Sequence, residues 1–195
     1  FDMGCHEAVP ASGPDCAIVI DSPAVGVAPL TVDFSALADP GAGIADYTWT
    51  VTDGVTTNSD TVLTGTWSRT FNQTGCYRVS LRVRYGDARE AAATAPEIIR
   101  VLPATAYVSR SGTHVWPFDT EAHAATNFHE AIAAVFADPE SPGTVKVMPG
   151  IYGVAHGLPA GANHLVLLDR PVRLVGQGAR PADTVIDGAH LRRIL

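Results

Sequence analysis

The sequence predicts a mainly β protein in two parts: an antiparallel β-sandwich, then an α-helix followed by short strands coiled in parallel rungs. Three observations carry this. Residues 77–85 alternate apolar with polar side chains, residues 128–136 repeat apolar side chains at helical spacing, and short Val/Ile/Leu-rich runs follow residue 143 with Pro or Gly at their ends.

In the first part the strongest strand is "YRVSLRVRY". Tyr77, Val79, Leu81, Val83 and Tyr85 point one way, while Arg78, Ser80, Arg82 and Arg84 point to water. The pattern recurs in "LTVDF" with Leu30, Val32 and Phe34, and in "YTWTV" with Tyr47, Trp49 and Val51. Turn residues at Asp39-Pro40-Gly41, Asp53-Gly54 and Gly86-Asp87 separate these runs. Short strands at this spacing, with a Trp in a central one, predict a sandwich of about 90 residues with Trp49 and Tyr77 in its core.

The second part opens with "TNFHEAIAAVFADPE". Phe128, Ala131, Ile132, Val135 and Phe136 form the stripe of an amphipathic helix, Asn127 and Glu130 fit a capping box, and Pro139 ends the element. His123 and His129 are expected as exposed histidines of this helix surface. Then come "TVKVM", "HLVLL", "PVRLVG" and "TVIDG". No helices separate them, which excludes the usual crossover arrangement of parallel sheets, and tight two-residue hairpin turns are missing. A coil of strands that bends at Pro and Gly remains, and Pro149-Gly150 is expected to be one corner.

Charge and composition narrow the function. Hydrophobic residues make up 46% of the 195 and charged residues 17%, enough for a real core, and the net charge of -7 argues against a nucleic-acid partner. No apolar run approaches the roughly 20 residues of a membrane span. The first residue is not Met and the chain stops within "HLRRIL", so a piece of a longer polypeptide is expected. The odd count of three cysteines, without Cys-x-x-Cys, makes zinc unexpected. One disulfide plus one free thiol, or three buried free thiols, both satisfy it. A Cys5–Cys16 disulfide would pin the N-terminal tail to the sandwich and suit an extracellular setting, with Cys76 a buried small hydrophobe.

No nucleophile elbow, phosphate loop or metal-type histidine spacing occurs, and Asp169, Asp183 and Asp187 read as corner residues or their neighbours. No catalytic or cofactor-binding residue is expected in this chain. Asp39, Asp46 and Asp53, in or near loops, are weak calcium candidates because they offer hard oxygen ligands, although Asp before Pro or Gly is ordinary turn chemistry.

Three resemblances add to this reading. "APLTVDFSALA", "IADYTWTVTDG" and "WSRTFNQTGCYRVSLRVRYGD" resemble a PKD domain, the immunoglobulin-like module of secreted and surface proteins, over residues 13–103. The family's aromatic-Gly-Asp-Gly turn stands here as Val51-Thr52-Asp53-Gly54. "YVSRSGTHVWPFDTEAHAATNFHEAIAAV", "GTVKVMPGIYGV", "LDRPVRLVGQG" and "DTVIDGAH" are similar to the start of a right-handed parallel β-helix of the pectate-lyase-like superfamily, residues 104–195. There the helix residues Phe128, Ile132 and Phe136 would cap the first rungs. "FDMGCHE" is similar to the Asp-x-Gly-Ala-x-Glu ending of some secreted bacterial β-helix domains, which would make residues 1–12 the tail of a preceding domain or a linker.

Together these imply an immunoglobulin-like sandwich followed by a capping helix and the first rungs of a right-handed parallel β-helix. The implied function is a non-catalytic spacer or adhesion-type module, extracellular or at a cell surface. Its partners would be neighbouring domains and polysaccharide or cell-surface glycan. The competing reading is the N-terminal portion of a polysaccharide lyase or glycoside hydrolase whose active site lies beyond residue 195.

Overall fold

The computed structural model describes residues 15–39, 43–156 and 165–188. The chain divides into two compact units, residues 1–25, 29–72 and 76–100, and residues 26–28, 73–75 and 101–195.

The sandwich strands are β1 (Cys16–Ile20), β2 (Val25–Val27), β3 (Leu30–Ala38), β4 (Ile44–Thr52), β5 (Thr57–Val62), β6 (Thr66–Phe71), β7 (Gly75–Tyr85), β8 (Glu90–Thr94) and β9 (Ile99–Leu102). One sheet runs β1-β3-β6 and the other β2-β9-β7-β4-β5, with β8 also on β7. Pairing is antiparallel for β3 with β1 and β6, for β4 with β5 and β7, and for β7 with β8. The alternation decides the core: Val32 and Phe34 from one sheet meet Trp49, Val51, Val79, Leu81 and Val83 from the other, all buried. Trp49 stacks on the half-buried Trp67 at 5.5 Å and 10°, and Phe34 lies 5.9 Å from Trp49.

Tyr77 points to the same side as Val79 but is only half-buried, packed on Phe71 at 4.8 Å. Cys76 is exposed, contrary to the expectation of a buried hydrophobe. Its position in the strand puts it on the Arg78 side, and strand parity overrides its apolar character.

The hairpin between β4 and β5 is closed by Asp53. Its carboxylate accepts from the amides of Val55 (2.8 Å) and Thr56 (2.6 Å) and from the Thr56 hydroxyl (2.9 Å). Gly54 follows at φ +91°, a region open to glycine. The Thr52 hydroxyl adds to the turn by accepting the Gly54 amide at 3.1 Å.

The second unit contains β10 (Thr105–Val108), α1 (Phe128–Ala134), β11 (Gly143–Val147), β12 (Gly150–Tyr152), β13 (Val172–Gly176) and β14 (Thr184–Ile186). These strands form two small parallel sheets, β10-β11-β13 and β12-β14. The register aligns Ala106, Val145 and Leu174 in one column, and Val108, Val147 and Gly176 in the next. The chain leaves β11 at Met148-Pro149 and enters the second sheet at Gly150, so Pro149-Gly150 is a corner between two sheets. The pair β13 and β14 repeats that step.

Inside lies one apolar cluster of Val108, Val145, Val147, Tyr152, Leu165 and Val166 with the helix residues Phe128, Ala131 and Ile132. Asn127 Oδ1 accepts the Glu130 amide at 2.9 Å, one half of the capping box; the Glu130 side chain turns to His114 instead.

Three expectations are corrected here. The helix ends at Ala134, and Val135 is already extended, so Phe136 is a half-buried residue beyond it. The guanidinium of Arg170 lies 3.4 Å from the carbonyl oxygens of Ile132, Ala133 and Val135, satisfying groups that a longer helix would have bonded itself. His123 accordingly lies in a turn before the helix. The described part of "HLVLL" is not a strand: Leu165 and Val166 fill the core as irregular chain.

Truncating Trp49 or Phe128 to Ala removes a fully buried aromatic at a cost of about 3–5 kcal/mol. Residue-resolved amide exchange should place the Trp49→Ala loss in the β3, β4 and β7 amides. The Phe128→Ala loss should fall in those of β10 and β11, and uniform loss across both units from either variant would contradict the division.

Candidate functional site

The weak calcium candidates do not come together. Asp46 lies near the start of β4, where the Arg84 guanidinium holds it through Nε at 2.8 Å and through a second contact from Nη2. Asp53 follows the far end of the same strand, about 20 Å away at the rise of extended chain. The two cannot share an ion. Hydrogen bonds from Thr56 and Val55 hold the Asp53 carboxyl below its ordinary value. Among the described residues no group of three or more His, Cys, Asp or Glu is placed to hold a metal ion, Asp39 included.

Cys5 lies outside the described residues, as does the structure of the whole tail 1–12. Cys16 stands at the start of β1 as a free thiol. Asp183 caps a 3-10 turn by accepting from the Arg180 amide at 2.9 Å, and the Asp187 amide donates to the Tyr152 carbonyl at 2.9 Å. Asp169 is exposed.

The most developed site in the second unit was not foreseen from the sequence. It is the loop between β10 and α1. Its stem is tied by main-chain bonds from Thr113 to Ala122 (2.9 Å), His114 to Ala124 (3.1 Å) and Val115 to His123 (3.1 Å). The Phe118 carbonyl accepts from Tyr107 at 2.7 Å, which fastens the loop to β10. His114 and Phe118 adopt φ of +57° and +63°, values that cost a non-glycine residue about 1 kcal/mol or more each. The fold holds them there, and the result turns Trp116 outward, 42% exposed, over a buried Phe118.

His114 is oriented from both sides. Its Nδ1 accepts from the Thr126 amide at 3.0 Å, so the ring hydrogen sits on Nε2 and points at Glu130 Oε2. Trp116, Phe118, Glu130, Ala133 and Ala134 enclose a shallow cavity of about 300 Å³. A larger one, about 440 Å³, opens beside β13 and β14 over Val147, Leu174 and Ile186, where the buried Thr184 hydroxyl has no partner among the described residues. The sequence signal for the loop is an aromatic pair, Trp116 and Phe118, inside a turn-rich stretch that fits neither strand nor helix periodicity.

The sandwich geometry defines an immunoglobulin-like β-module. Residues 12–101 match the family model for the PKD domain, and this part of the chain is similar to that family. Among solved structures, the chain is similar to the PKD1 domain of the Vibrio cholerae metalloprotease PrtV (18% identity, 46% of this chain and 98% of that one, TM-score 0.34). A PKD domain of an M14-like peptidase from Thermoplasmatales archaeon SCGC AB-540-F20 matches similarly (16% identity, 47% and 97%, TM-score 0.33). A structure of carbohydrate-binding modules from the β-sandwich superfamily, described for promiscuous specificity, matches at 27% identity over 52% of this chain (TM-score 0.42). The chain spans about two-fifths (39%) of the length of that last structure. No curated protein matches the chain.

The two described thiols should separate kinetically. Burial, and secondarily the charge of Asp15, push the Cys16 thiol above its ordinary value, while Cys76 is exposed. In a Cys5→Ser variant at pH 7.5, a maleimide should modify Cys76 first. The Cys16 rate should climb about tenfold per pH unit until its raised value is passed. Equal rates at Cys16 and Cys76 would contradict the geometry.

Proposed function

We propose that the chain is a non-catalytic extracellular module in which a PKD spacer, residues 13–103, carries the start of a right-handed parallel β-helix, residues 104–195, that engages glycan. Residues 1–12 are then the tail of a preceding domain or a linker. The observation that carries the reading is the in-register parallel pairing of successive strands, β11 with β13 and β12 with β14, so that the step from one sheet to the other occurs twice. A parallel β-helix grows by that step, and α1 supplies an apolar cap for its first rungs. The PKD match supports the extracellular role, and the exposed Trp116 on the second unit supports the binding role.

The test separates binding from turnover. Intact chain incubated with insoluble β-glucan, mannan and pectin should be retained by at least one of them while releasing no new reducing ends or unsaturated uronates. Release that disappears in Asp169→Asn or Asp187→Asn would overturn the non-catalytic reading.

A further inference from the structure

We propose that the loop bearing Trp116 is a binding site for a neutral pyranose ring of a glycan, and that it discriminates against uronates. The inference rests on the glycan-engaging role above and assigns it to one surface. A pyranose offers a face of C–H groups bordered by hydroxyls, so its receptor needs an exposed aromatic plane with hydrogen-bonding groups at the edge. Trp116 supplies the plane. Its indole N–H has no partner among the described residues, and Ala133 and Ala134 leave room beside the ring where larger side chains would close the cavity.

Glu130 supplies the edge. One of its oxygens takes the His114 Nε2 hydrogen, which fixes the carboxylate, and Oε1 has no protein partner among the described residues. It is therefore free to accept from a sugar hydroxyl, and such charge-assisted bonds are the strong ones. The tied stem holds the loop in place before ligand arrives, so little ordering remains to oppose binding.

Charge decides the sugar class. Glu130 stands in the cavity wall, and Asp119 and Glu121 are exposed on the same loop. The nearby histidines are already engaged, His114 by Glu130 and His123 by Asp119 at 3.7 Å. No Lys or Arg lines the cavity to meet a uronate carboxylate. A neutral hexose or pentose fits this surroundings and an acidic one is repelled.

Isothermal titration calorimetry of the intact chain with soluble β-glucan, galactomannan and xylan, and with polygalacturonate, tests the assignment. At least one neutral polymer should bind with a Trp fluorescence change, and polygalacturonate at least tenfold more weakly. Trp116→Ala should lower neutral affinity roughly tenfold or more, as expected for truncation of a central aromatic. Trp116→Phe should retain most of it, and Glu130→Gln should weaken it several-fold. Neutral binding that Trp116→Ala leaves intact would overturn the site while the glycan-engaging role stands. Tighter binding of polygalacturonate through Trp116 would overturn the sugar class, and no binding of any of the four would overturn both site and role.

Discussion

The second unit depends on where Tyr152 puts its hydroxyl. The side chain is fully buried, yet it carries a polar atom that must find a partner there. It lies 2.8 Å from the Met148 carbonyl and 3.3 Å from the Val108 carbonyl. Val108 ends β10 and Met148 begins the corner after β11, and the Met148 amide donates to Val108 at 2.9 Å. One side chain thus joins a strand end, a corner and, through its ring 5.3 Å from Phe128, the helix. Its backbone pairs with Ile186 in β14. The Pro149-Gly150 bend brings Tyr152 back under the strand that has just ended. A Cβ added at Gly150 would press on the Arg110 side chain at 3.2 Å, with a φ of +154° besides.

Much of this was legible in the sequence because alternation and corners are local. Val79, Leu81 and Val83 declare a buried face by parity alone, and Met148-Pro149-Gly150 declares a bend because proline lacks the donor that a ladder requires. What was not legible depends on residues distant in the chain. The apolar stripe through Val135 and Phe136 describes a helix two residues too long, since nothing near it reports that Arg170 waits 35 residues later to take the carbonyls of its last turn. Leu165 and Val166 look like a strand because burial and strand propensity favour the same residue types. Cys76 differs for another reason: it shares the outward parity of Arg78 in β7, and position in the strand outweighs the apolar character of a thiol.

The loop at Trp116 escaped sequence reasoning because its order comes from groups far apart in kind and position. His114 is fixed by the Thr126 amide on one side and by Glu130 on the other, and Glu130 is where it is because Asn127 starts the helix three residues earlier. A residue that reads as half of a capping box is therefore the edge of a cavity. The same fold logic separates roles along the chain. The sandwich packs Trp49 against the half-buried Trp67, whereas the second unit turns Trp116 outward on a stem tied by three main-chain bonds. The buried aromatics hold the two cores, and Trp116 stays exposed.

The direct measurement is amide hydrogen exchange of a Tyr152→Phe variant, which keeps the ring and deletes only the hydroxyl. Loss of a buried hydrogen bond of this kind costs about 1–3 kcal/mol, so protection of the β10, β11 and β12 amides should fall by roughly ten- to a hundredfold. The sandwich amides of β4 and β7 should be unchanged. Unaltered protection in β10 to β12 would contradict the account, because the corner would then be held by something other than Tyr152.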